Sequence, residues 1–294
     1  MYIFYTSFRR VWPTGAWLLA AMLIGLSAGC YTSAPPHREV KKRVVTDDLG
    51  RPVELPERVD DVVSLVPGVT ETIYSIGAGS KLVGVSSQCD HPAEARSVSK
   101  AGEPLKPNIE TIVAMKPQVV FASAATRPED FIKSLDEREI KVMVIDPKTL
   151  DDVFASIEKI GEVLGQRDRA ADLVDEMKTR TARVASGFRP YRPKVFVQIA
   201  ENPLEGPGRD SFVNDLITRS GGIPAEPAAA DPDVIVIAET STNREPSGSL
   251  RNSAAVKNRR VYRIRADILL RPGPRLADAI DMLSKHIEDI QRAP

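Results

Sequence analysis

Four short apolar runs, at 62–65, 82–85, 119–122 and 142–145, are separated by segments at 69–76, 109–115 and 131–135 that carry helical spacing. No other feature constrains the fold of this chain as strongly. An apolar run without polar alternation suits a strand covered on both faces, and strands separated by helices build a parallel sheet from βα units. A second set of such segments follows at 195–199, 212–220, 234–238, 261–264 and 274–290. Between the sets lies a helical region from Leu150 to about Ser186. Leu150, Val153, Phe154, Ile157, Ile160 and Leu164 follow the i, i+3, i+4, i+7 rule; the pattern breaks at Gly165 and resumes at Ala170, Val174 and Met177. The expected fold is α/β with two lobes, each a small, mostly parallel sheet flanked by helices. An N-terminal lobe at 44–149 and a C-terminal lobe at 188–294 are joined by a long backbone helix at 150–187.

The first thirty residues have a different character. Arg9 and Arg10 precede an apolar run at 16–26, whose eleven residues cover only about half of the ~30 Å hydrocarbon core at ~1.5 Å rise per residue. A basic start followed by a short apolar stretch reads as a secretory signal. It ends in LSAGC (26–30), which resembles a bacterial lipobox. The expectation is a signal peptide at 1–29, a lipid on Cys30 holding the protein at the outer side of a membrane, and a polar, proline-containing tether at 30–43.

Forty basic and forty acidic side chains balance, which leaves no electrostatic footprint for nucleic acid. Cys89 is the only other cysteine, so no intramolecular disulfide forms once Cys30 is acylated; the thiol is expected to be buried or shielded. Cys89, Asp90 and His91 are all metal-ligating types, but three adjacent residues rarely face one centre, and the other histidines are His37 and His286. No metal site and no cofactor are expected. GxSxG, HExxH and P-loop patterns are lacking, so the chain is not read as an enzyme.

VVTDDLGRPVELPERVDDVVSLVPGVTETIYSIGAGSKLVGVSSQCDHPAEA (44–95) resembles the opening of the class III, helical-backbone periplasmic binding proteins, the receptors of ABC importers for cobalamin, ferric siderophores and haem. KPNIETIVAMKPQVVFA (106–122), KVMVIDPKTLDDV (141–153) and RPGPRLADAIDML (271–283) extend the resemblance. It implies a monomer with a rigid pair of lobes, a shallow cleft between them that takes a corrinoid or an iron chelate, and docking onto ABC permease subunits. Independently, ligands in open α/β sheets bind beyond the carboxyl ends of the strands. That places 66–70, 86–91, 123–127 and 200–210 at the cleft.

The residues expected to meet ligand are Pro67, Gly68, Glu103, Pro104, Leu105, Arg127, Arg209 and Arg271, the arginines as partners for carboxylates. Pro104 and Ser123 stand where cobalamin receptors carry aromatic residues. Both tryptophans, Trp12 and Trp17, lie in the signal, so ring packing would fall to Tyr74, Phe188, Tyr191 or Leu105. Glu110 aligns with the acidic residue offered to the permease, and Glu71 has a weaker claim to that role. In RPGPR, Pro274 is expected near the start of the last helix and Arg275 to be structural. The second lobe is read as shortened, with only IPAEPAAA between Gly222 and Asp231; Glu226, the one acid there, is the candidate partner of Glu110 in docking. That shortening keeps open an alternative, a divergent lipoprotein of this fold serving as an interaction or scaffold protein without transport.

Overall fold

A computed structural model describes residues 41–126, 128–186, 191–226 and 231–291. The fold starts with an antiparallel hairpin of β1 (Lys42–Thr46) and β2 (Pro52–Pro56). Lys42 and Arg43 therefore belong to a strand and not to the tether. Arg43 donates to the carbonyls of Glu162 (2.8 Å) and Val163 (2.7 Å), a cation placed on the open carbonyls of a helix C-terminus.

The first lobe continues with β3 (Val62–Ser64), α1 (Pro67–Ser75), β4 (Leu82–Val85), the short pair β5 (Gly102–Glu103) and β6 (Lys106–Pro107), α2 (Ile109–Met115), β7 (Val119–Ala122), α3 (Pro128–Asp136) and β8 (Lys141–Val144). Its sheet has the order β4-β3-β7-β8, all parallel. Every residue of β3 and β7 is buried, which accounts for apolar runs without alternation. Asn108 caps α2 by accepting from the Thr111 amide at 3.0 Å.

The helical region is two helices, α4 (Leu150–Leu164) and α5 (Arg167–Ala185). Thr149 and Asp152 form a capping box at the start of α4, and Gly165 ends it in the left-handed region at φ 69°. The break in apolar spacing at Gly165 is thus a true helix end.

The second lobe follows with β9 (Lys194–Gln198), α6 (Phe212–Arg219), β10 (Ile223–Pro224), β11 (Val234–Glu239), α7 (Ala254–Lys257), β12 (Val261–Arg265), α8 (Ala266–Leu269) and α9 (Leu276–Gln291). The sheet order is β10-β9-β11-β12, again parallel. The edge strand β10 has only two residues and pairs with the first two of β9.

One buried apolar cluster runs from Val59 and Ile73 in the first lobe, through Ile157 and Ile160 of α4 and Val174 of α5, to Val197, Ile280 and Ile287 in the second. The two lobes share a core. Relative movement of the lobes would shear close-packed side chains, which is costly.

Candidate functional site: a cleft between the lobes

A cavity of about 600 Å³ opens where the carboxyl ends of the two sheets face each other. The first lobe supplies Leu65 to Gly68 after β3, Gln88 after β4, Pro104 and Leu105 between β5 and β6, Ser123 after β7, and Ile145 to Pro147 after β8. The second supplies Phe212 at the start of α6, Glu239 and Thr240 at the end of β11, Ala266 and Asp267 of α8, and Leu270 to Pro272. The wall is mainly apolar with a few polar groups, as small-molecule sites usually are.

The lobes touch at the floor. A Cβ placed on Gly68 would sit 2.2 Å from the carbonyl oxygen of Pro272, so only glycine permits this approach. Beside it, Glu71 is 3% exposed and accepts from Arg275 Nε (2.8 Å) and Nη2 (2.6 Å) and from Arg271 Nη1 (3.2 Å). Arg271 also donates to Asp90 Oδ1 (2.7 Å) and to the Gln88 carbonyl (3.2 Å). Arg275 donates to Asp267 Oδ2 at 2.9 Å and to its carbonyl at 3.0 Å.

These contacts set the protonation states. Burial pushes the Asp267 carboxyl up, but hydrogen bonds from Arg265 and Arg275 outweigh it and hold the group at about 2. Burial likewise pushes Asp90 up, and the bond from Arg271 brings it below the usual carboxylate range. For Arg271, burial favours loss of the proton, while the bonds to Asp90 and Glu71 raise its pKa.

Of the residues singled out from sequence, Pro67, Gly68, Pro104, Leu105 and Arg271 line the cavity. Glu103 is exposed in β5, next to the wall but not on it. Arg127, like Cys30 and Phe188, lies outside the described residues. Arg209 is not at the cleft wall: it is 82% exposed and donates to Glu226 Oε1 through Nε (3.1 Å) and Nη2 (2.9 Å). Together they border a separate depression with Lys148 and Asp210. The 200–210 segment is also absent from the wall, because a bridge between Ala200 and Glu205 folds it back and Gly206 packs on Phe196.

Tyr74 and Tyr191 are not ring-packing residues of this cleft. Tyr74 lies in a depression with His91, Glu94 and Pro274, and Tyr191 precedes β9, at the end of the sheet away from the cleft. The aromatic side chain on the wall is Phe212, whose position directly after the Ser211 cap was a readable signal. Asp146, Pro147, Glu239 and Thr240 were equally readable as the residues that follow β8 and close β11.

Glu110 is exposed in the first turn of α2. Glu71 is not available to a permease, since both arginines and the core enclose it. Cys89 is 1% exposed and its sulfur lies 3.0 Å from Thr70 Oγ1 and 3.1 Å from Ser86 Oγ, while Asp90 turns to Arg271. The adjacent residues face different partners. Among the described residues no helix is long and apolar enough to cross a membrane.

Residues 62–268 match the family model described as periplasmic binding protein. An ABC transporter substrate-binding lipoprotein of Bacillus subtilis (strain 168) is 29% identical over 312 aligned residues, covering 95% of this chain and 97% of its own. A vitamin B12-binding protein of Vibrio parahaemolyticus is 26% identical, covering 80% of this chain and 92% of its own. Among solved structures, the periplasmic heme-binding protein RhuT of Roseiflexus superposes with a TM-score of 0.69 at 23% identity, covering 79% of this chain and 98% of its own. The periplasmic vitamin B12-binding protein BtuF of Vibrio cholerae gives 0.67 at 24% identity, covering 81% and 100%.

Proposed function

This chain belongs to the periplasmic binding protein family, and on that premise we propose that it is an extracytoplasmic lipoprotein delivering a corrinoid or an iron chelate, siderophore or haem, to an ABC importer. The carrying observation is the apolar cavity of about 600 Å³ between the carboxyl ends of two parallel sheets. Affinity comes from a preformed wall and no chemical step is required; the family consists of binding proteins, not enzymes. The relatives named for vitamin B12 and for haem support the ligand class.

Cys30 carries the lipid in this reading, and the tether that follows it, expected at 30–43 but ending before Lys41, whose carbonyl accepts from the Glu57 amide, gives reach from the membrane. Glu110 supplies the docking charge of the first lobe. Glu226 supplies that of the second, because its exposed pair with Arg209 is worth little and exchanges readily for a permease arginine.

The test is a thermal-shift panel on the purified full chain with cyanocobalamin, haem and several ferric siderophores. A ligand present at 100 times its Kd stabilises the fold by about 2.7 kcal/mol. A shift with one class identifies the cargo. A folded protein that shifts with none of them loses the receptor reading.

A further inference from the structure

We infer that the cleft selects a chelate whose rim carries N–H donors and no net negative charge, an amidated tetrapyrrole and not a carboxylate-edged one. The inference rests on the cleft being the solute site. Its wall takes Asp146 from the first lobe and Glu239 and Asp267 from the second. Asp267 is committed to Arg265 and Arg275. Asp146 and Glu239 keep spare acceptor capacity: among the described residues each carboxylate has one side-chain partner, Lys148 at 2.7 Å and Arg244 at 3.3 Å. Those cations are 59% and 66% exposed, against 27% and 29% for the carboxylates. The cations face solvent, and the acceptors border the cavity.

Positive charge shows the reverse arrangement. Arg271 is the cation on the wall among the described residues, and Glu71, Asp90 and the Gln88 carbonyl occupy its guanidinium. Among the described residues a ligand carboxylate would therefore meet Asp146 or Glu239 with no uncommitted cation on the wall to compensate it, and like charges brought together at an interface are penalised. A carboxamide rim instead donates to those carboxylates through charge-assisted bonds. The wall also lacks the iron-binding side chains: among the described residues it carries no His, Tyr, Met or Cys, so haem iron would find no axial ligand of the usual kinds. Rim charge and iron ligation thus disfavour haem independently.

The experiment is calorimetric titration of the purified full chain with cyanocobalamin, with haem, and with haem whose propionates are converted to amides. Cyanocobalamin should bind, and amidation should raise haem affinity at least tenfold. The double variant Asp146→Asn with Glu239→Gln should lose at least tenfold in cyanocobalamin affinity with an unchanged Tm; the two single variants give the same comparison if the double variant does not fold. Haem bound as tightly as its diamide overturns the inference, as does cyanocobalamin binding that the folded variants leave untouched; either result keeps the cleft as a solute site. Binding of none of the probes, together with a blank siderophore panel, removes the solute site itself.

Discussion

Glu71 and Arg275 lie 204 positions apart in sequence and hold each other through two hydrogen bonds, at 2.8 and 2.6 Å, across the junction of the lobes. Both are nearly enclosed, with side chains 3% and 13% exposed. Removing one member of such a pair strands the other's charge, which typically costs about 3–5 kcal/mol. Glu71→Ala should destabilise the protein by that order in urea unfolding, and Glu71→Gln by less, because an amide oxygen still accepts. A loss within about 0.5 kcal/mol would mean that the pair does not hold the lobes.

Gly68 should tolerate no side chain. With its Cβ position 2.2 Å from the Pro272 carbonyl, Gly68→Ala forces the floor of the cleft apart, and overpacking of this kind costs about 1–3 kcal/mol. Tm should fall and ligand affinity with it. A variant with wild-type Tm and affinity would refute the close approach.

Acid stability should carry the mark of Asp267. Its carboxyl is held at about 2 in the folded protein, below the ordinary 3.8. The unfolded chain binds the proton first, so this contribution is complete above about pH 4 and is lost as pH falls toward 2. Asp267→Asn should flatten the stability curve in that window and leave its slope near neutrality unchanged. Denaturant midpoints measured from pH 2 to 7 make the comparison.

Glu110→Lys should keep the fold at a cost of about 1 kcal/mol, because it places a cation in the first turn of α2 where an acid complements the helix dipole. In the docking reading it should abolish uptake and weaken binding to the permease in low salt, where charge steering is strongest. Unchanged uptake would end the assignment.

Much of the fold was legible because its signals are local. Runs such as 119–122 are apolar throughout, because both faces of β7 are covered, and Gly165 announces a helix end by its own backbone freedom. The β1–β2 hairpin was missed although DDLGR carries turn residues: Asp47 accepts from the amides of Leu49 and Arg51. Its buried positions, Val45, Val53 and Leu55, are too few to set a period.

The cleft was legible where residues directly follow strand ends, as Pro67 and Gly68 do. Arg209 sits off the cleft wall because it pairs with Glu226, 17 residues away beyond α6 and β10, a contact that no local pattern reveals. The role of Glu71 was invisible for the same reason at longer range: a buried glutamate and a helix-start glutamate look alike until the arginines that enclose it are known.

The continuous core beneath both lobes has a consequence for delivery. Close-packed side chains running from Ile73 through Ile157 to Ile280 leave no layer on which one lobe can slide over the other. Empty and loaded receptor then share nearly one silhouette, so an importer cannot tell them apart by outline. In the receptor reading, cargo at the mouth of the cleft is then the difference an importer meets, and an empty receptor would compete for the same landing place.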